Sequence, residues 1–352
     1  MRISPIFAVV LPVALALAGD PPPAPLPEAG YARAVALEHE GKLLDADGAY
    51  GQLLSSAAPA NEASAAFRDK LLLGRARTLY RDNLPSSALA VLDDVSADDS
   101  GEATYLKVLS LAKLGENDKA ALVAGDFLET RISPTNEVPP FAAEIRFWLA
   151  AFSYRNGDFA NAERRFLKFA EYHPDHASAP GARLLAGAAA FKLRDYAVAA
   201  QHFVSLVKAH PEDPRVPLAR FLQAKALLNL ARFEDAVLVL DDLLERFPDA
   251  AFAVEACLLR GDALRAASGG TDHFREAAVS YATALVKSGI TPDQAALCSR
   301  KLAKCQAEAG DEAAARATIA QFSQIDRDGA QALQNELFGN FPGTKLEKGK
   351  EQ

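Results

Sequence analysis

Between residue 28 and about residue 325 the chain alternates short apolar-periodic segments with tight polar turns. Within each segment the apolar positions recur every three or four residues, which lines them along one face of an α-helix. The pattern is sharpest in three stretches, RNGDFANAERRFLKFAEYHPD (155–175), LRDYAVAAQHFVSLVKAHPED (193–213) and LARFEDAVLVLDDLLERFPDA (230–250). Aligning them puts Ala162, Ala199 and Ala236 in one column with a period of 37, Phe166, Phe203 and Leu240 four residues on, and Pro174, Pro211 and Pro248 at the ends. The alanine admits a neighbouring helix closely, the larger residue one turn later fills the gap, and proline stops the helix. Upstream of each lies a second helical segment, FAAEIRFWLAAFSYR, APGARLLAGAAAFKL and VPLARFLQAKALLNL. Each unit therefore reads as helix, tight turn, helix.

Weaker copies carry the marker alanine at Ala46, Ala88, Ala120, Ala277 and Ala315, which gives eight candidate units. The first and third keep a Gly-x4-Ala turn signal, whereas LLLGRARTLYRDNLPSSALAVLDDV has lost it. The seventh inserts ASGGTDH between its helices, where Gly269 and Gly270 predict a longer, mobile turn. DGAQALQNELFGNF reads as one more helix with a polar outer face, sealing the last apolar surface. The predicted fold is all-α, an α-solenoid of about eight helix-turn-helix repeats with a C-terminal capping helix.

The units resemble tetratricopeptide repeats, whose second helix carries A-x-x-x-F and then P, after a first helix marked by a small residue and an aromatic. Leu149-Ala150, Gly187 and Ala224 stand at the small-residue position, although Trp148 directly precedes Leu149 instead of standing three residues before it. Connectors such as HPDHASAP and HPEDPRVP absorb the longer period. The repeat endings are most similar to those of two bacterial envelope families, the Tol-Pal-associated periplasmic coordinator and the tetratricopeptide component of the outer-membrane β-barrel assembly machinery. The resemblance implies partner-binding scaffolds. It is strongest over about 140–250, and residues 28–140 show no sustained heptad of the kind the coordinator carries.

The organisation expected along the chain begins with a signal peptide at 1–18 and a Pro-rich spacer at 19–30. Divergent repeats 1–3 follow at 31–130, then a linker at 131–141 that is the candidate hinge or subdomain boundary. Repeats 4–8 occupy 142–325, the capping helix 326–341, and a disordered tail 342–352 in which Lys345, Lys348 and Lys350 are solubilising. MRISPIFAVVLPVALALAGD pairs one cation, Arg2, with an apolar run from Ile6 to Leu17 and small residues at Ala16 and Ala18, as a signal peptidase requires. The expected cut follows Ala18, and the expected location is periplasmic or secreted. An uncleaved membrane anchor is the competing reading, but the run falls short of the roughly 20 residues of a spanning helix and contains Pro12. Asp20 stands where a lipoprotein signal needs Cys.

Half of the 352 residues are hydrophobic, enough for a sizeable core, and the net charge of −8 removes any general surface for nucleic acid or anionic lipid. Cys257, Cys298 and Cys305 allow at most one internal bridge. Cys298 and Cys305 lie about 10.5 Å apart along a helix, too far for a disulfide, while Cys257 can reach either if its helix is a neighbour. Idle buried thiols are the simpler reading. Phosphate loops, nucleophile elbows, H-E-x-x-H and paired C-x-x-C are absent, so no catalytic residue, metal or cofactor is predicted. His173-Pro-Asp-His176 is the one candidate metal cluster. Its plainer explanation is a histidine complementing a helix C-terminus, a feature repeated by His210.

Columns across the repeats carry more information, because stacking brings equivalent residues side by side. Arg146, Arg183 and Arg220 form one ladder, and Arg155, Lys192 and Asn229 another, nine residues later. At about 100° per residue the two face opposite ways. The repeat family uses its first helices to line a concave groove, so the resemblance assigns Arg155, Lys192 and Asn229 to that groove, with Lys225 nearby. Phe147, Tyr154 and Phe191 are assigned beside them as aromatic platforms. Such a groove suits an extended protein or peptide segment with apolar side chains and an acidic group. The competing reading makes the aromatics inter-helix filler and the cations a solvated rim. The Arg146 ladder is expected to be structural, covering apolar surface and meeting carboxylates. Lys225 and Asn229 occur together in one unit alone, which argues against the clamp of chaperone-binding members. The function expected is a non-enzymatic exported scaffold in envelope assembly or maintenance; the alternative is an accessory module binding cell-wall glycan or supporting a partner enzyme.

Overall fold

The computed structural model describes residues 29–56, 62–131, 138–267 and 270–339. Among them it contains seventeen α-helices and no strand. The first ten are α1 (Ala29–His39), α2 (Leu43–Ser56), α3 (Glu62–Arg81), α4 (Pro85–Leu92), α5 (Glu102–Lys113), α6 (Asn117–Arg131), α7 (Ala142–Arg155), α8 (Phe159–Tyr172), α9 (Ala179–Lys192) and α10 (Tyr196–Ala209). Then follow α11 (Val216–Asn229), α12 (Phe233–Arg246), α13 (Ala253–Ala266), α14 (Gly270–Leu285), α15 (Pro292–Glu308), α16 (Glu312–Phe322) and α17 (Arg327–Phe338). The predicted helix-turn-helix solenoid with a terminal capping helix is the observed architecture. The export signal, the Pro-rich spacer, Gly269 and the tail from residue 340 lie outside the described residues.

The chain divides into two compact units, one ending at Arg194 and the other beginning at Asp195. The division falls in the fifth repeat and not at the 131–141 segment. Residues 132–137 lie outside the described residues, but on the far side of them α7 packs on α6, and Phe141 N–H donates to Ser100 O at 3.0 Å. Those contacts tie the third and fourth repeats into one unit.

In the amino-terminal unit the marker residues Ala46, Ala88, Ala120 and Ala162 are fully buried. The residues one turn on, Tyr50, Leu92, Ala124 and Phe166, are buried with them. The carboxyl-terminal unit repeats the arrangement with Ala199, Ala236, Ala277 and Ala315, followed by Phe203, Leu240, Tyr281 and Ile319. Each fully buried large apolar side chain contributes roughly 1.5–3 kcal/mol. In α17, Ala330 and Leu333 pack against Ile319 and Phe322, while Gln331, Asn335 and Glu336 on the same helix remain in solvent.

Five residues before seven of the eight marker alanines the backbone turns left-handed, at Gly41, Asn83, Gly115 and Gly157 in the first unit, at Arg194 on its edge, and at Ala231 and Gly310 in the second. The second repeat, which lacks the glycine signal, keeps the turn. The turn survives without its glycine because Asn83 takes φ 64°, a conformation asparagine tolerates better than most side chains. After the turn, Asp158, Asp195 and Asp311 cap α8, α10 and α16 by accepting a backbone N–H three residues on. Gly270, at φ 69°, opens α14 itself.

Candidate functional site

In the amino-terminal unit, α7 places Phe147 and Tyr154 two turns apart on the face turned toward α8. Phe147 is 3% exposed, with its ring edge-on to Phe166 and Phe169 at 5.5 and 5.4 Å. Tyr154 is 5% exposed and meets the edge of Phe159 at 5.2 Å. Their assignment as platforms for a partner is therefore corrected: both rings fill the space between paired helices. Phe191 is partly buried near the end of α9.

The cations behave differently. Arg155 ends α7 partly buried and Lys192 ends α9 exposed. Among the described residues neither side chain makes a hydrogen bond or ion pair. Burial alone pushes the Arg155 guanidinium below its ordinary value, with no carboxylate to offset it. In the carboxyl-terminal unit the Lys225 ammonium lies 5.5 Å from the Phe221 ring centroid, and exposed Asn229 donates to Lys225 O at 2.8 Å. Asn229 thus begins by closing its own helix end.

The opposite ladder is structural where its contacts are defined. Arg220 pairs with Asp242 of the following helix at 2.7 Å, and Arg146 donates to Nε2 of His173 at 3.0 Å. The histidines of the first connector are engaged within the chain. His173 and His176 pack on the Phe169 ring at 5.2 and 5.3 Å; His176 accepts the Ser178 N–H through Nδ1 and holds Glu144 at 3.5 Å through Nε2. Among the described residues no group of three or more metal-ligating side chains converges, and no helix is long and apolar enough to cross a membrane.

The tetratricopeptide-repeat family model matches residues 105–168, 153–214 and 184–251. Residues 105–251 thus match tetratricopeptide repeats. No curated protein matches the sequence. Among solved structures, the chain is similar to RapI in its apo form, with a TM-score of 0.56 and 12% identity over 88% of this chain and 94% of that one. It is also similar to a signal-transduction ATPase with numerous domains and a tetratricopeptide-repeat sensor from Pyrococcus horikoshii, with a TM-score of 0.52 and 15% identity over 85% of this chain and 47% of that one. A third likeness is to the C-terminal part of a repeat-containing protein from Cytophaga hutchinsonii, with a TM-score of 0.51 and 13% identity over 78% and 95% of the two chains. At such identities the likeness is one of fold. Tetratricopeptide repeats are in general protein-binding scaffolds and not enzymes.

One charged cluster escaped the sequence reading, a network joining the first helices of tetratricopeptide-like repeats 1–3. Arg77 of α3 binds Glu38 of α1 at 2.8 Å and Glu102 of α5 at 2.5 Å, and the Tyr50 hydroxyl donates to Glu38 at 3.1 Å. Burial raises the Glu102 carboxyl, with Arg77 opposing. The signal was present: Arg77 stands eleven residues before its marker alanine, as Lys225 does before its own.

Proposed function

We propose that this chain is a non-enzymatic scaffold, exported to the cell envelope, that holds a protein or peptide partner against the first helices of its repeats. The observation that carries the reading is Arg155 with Lys192, two equivalent cations of the amino-terminal unit that, in an acidic chain, find no counter-charge among the described residues. Lys225 and Asn229 form the corresponding surface of the carboxyl-terminal unit. Export rests on the 1–18 signal pattern, and the envelope role on the likeness of the repeat endings to envelope scaffolds.

In vivo cross-linking followed by mass spectrometry tests the reading. A defined protein partner is expected with the native chain, and its yield should drop severalfold in an Arg155→Ala/Lys192→Ala variant with unchanged helical circular dichroism. Undiminished capture by that variant rejects the surface. N-terminal sequencing of the mature protein tests export, with Gly19 the expected first residue; recovery of an intact amino terminus rejects it.

A further inference from the structure

Counting seven residues back from each marker alanine of the amino-terminal unit reaches His39, Arg81 and Lys113, then Arg155; Lys192 stands in the same place before Ala199. Five successive first helices, α1, α3, α5, α7 and α9, thus end in a basic side chain, in a chain whose net charge is −8. We propose that the amino-terminal unit recognises an extended acidic polypeptide laid across these helix ends, with a carboxylate at about every third residue. The inference rests on the scaffold reading above and specifies the chemistry of its partner.

A basic residue at a helix C-terminus complements the helix dipole, and that effect alone could place one there. It does not act uniformly in this protein. The equivalent position is Asn229 in α11 and Glu308 in α15, and α13 carries Arg265 in its last turn but pairs it with Glu308 at 3.1 Å. The unbroken column is a property of one unit and not of the repeat.

Continuity along the column is visible in its first rungs. Arg81 reaches back to Glu38 O at 3.3 Å, beside His39, and Lys113 reaches back to Tyr80 O at 3.1 Å, beside Arg81. Each of these cations satisfies a carbonyl at the end of the preceding first helix. Lys113 also lies 4.6 Å over the Tyr80 ring. Arg155 and Lys192 continue the series but make no such bond among the described residues. The amino-terminal rungs are partly engaged at home, and the last two are available to a ligand carboxylate.

The spacing follows from packing. A helix with its side chains is about 10–12 Å across, and an extended backbone advances about 3.3 Å per residue, so one step between successive first helices corresponds to about three residues. A segment of about 15 residues spans five rungs. Arginine forks bind carboxylates with two parallel hydrogen bonds, which favours Arg155 as the strongest single contact.

The test uses the full chain and two labelled peptides of about 15 residues and equal composition, one with aspartate at every third position among glycine and serine, the other with all its aspartates in one block. Fluorescence anisotropy at low salt should show the spaced peptide binding severalfold tighter, and an Arg155→Glu/Lys192→Glu variant should weaken it about tenfold. The single Lys192→Glu variant, at an exposed position, reports the same direction if the double variant folds poorly. Equal affinity for both peptides, or unchanged affinity in a folded charge-reversed variant, overturns the proposal. So does tighter binding of an anionic glycan or of anionic vesicles than of the spaced peptide. Cellular cross-links from a partner that avoid all five rungs overturn this inference and leave the scaffold reading standing, whereas the absence of any protein cross-link to the native chain defeats both.

Discussion

Arg146 donates a hydrogen bond to Nε2 of His173 at 3.0 Å, linking the first helix of the fourth repeat to the connector that leaves its second helix. The bond requires that nitrogen to be unprotonated, and burial followed by the Arg146 charge lowers the His173 pKa, with His176 acting the same way and Glu144 opposing. The unfolded chain therefore takes up this proton first. Stability from the contact is fully present above the unfolded histidine value of about 6.5 and is lost as pH falls through the lower folded value. Thermal melts between about pH 7.5 and 5 should show a falling Tm that is shallower in His173→Gln. Parallel curves for the two proteins would show that another group controls the slope.

Ala231 turns left-handed at φ 56°, where four of the equivalent turns carry glycine. The conformation costs a non-glycine residue about 1 kcal/mol. Ala231→Gly should therefore stabilise by up to about 1 kcal/mol in urea unfolding, and Gly157→Ala should destabilise by a similar amount. A destabilising Ala231→Gly would mean that the methyl group contributes packing greater than the strain it introduces.

Two helical glycines give a second contrast. A Cβ at Gly261 would lie 2.5 Å from the Tyr281 ring, which is fully buried, whereas one at Gly48 meets nothing within 4 Å. Gly261→Ala should cost about 1–3 kcal/mol through overpacking. Gly48→Ala should gain about 0.5–1 kcal/mol from helix propensity. Denaturant midpoints moving in the same direction for both would contradict the packing.

Cys257, Cys298 and Cys305 are free and buried in one apolar cluster of the carboxyl-terminal unit. Burial raises all three thiols, Cys298 to about 11 and Cys305 to about 12. Since the thiolate is the reactive form, a thiol reagent at pH 8 should leave the native protein unlabelled and modify three groups after denaturation. Rapid native labelling would show that the cluster opens.

Much of the architecture was legible because it is local. Ala162 and Phe166 lie one helical turn apart, Pro174 ends their helix, and the same three signals recur in each clear copy, so pattern alone located the hairpins. The second repeat was less legible because Asn83 achieves with an amide side chain what four other copies achieve with glycine. Phe147 and Tyr154 were misassigned for a different reason. An aromatic on a first helix can face a ligand or the second helix, and the period is the same in both cases.

The sequence by itself determined the helices, their pairing into repeats and the small-to-large alternation of the core, since these follow from residues within a few turns of one another. Tertiary structure decided which side chains remain for a partner. Whether an arginine is engaged, as Arg77 is between Glu38 and Glu102, or left without a counter-charge among the described residues, as Arg155 is, depends on groups from helices that are distant along the chain. Burial and charge compensation are set by packing, and packing brings together residues whose separation in sequence carries no fixed distance in space.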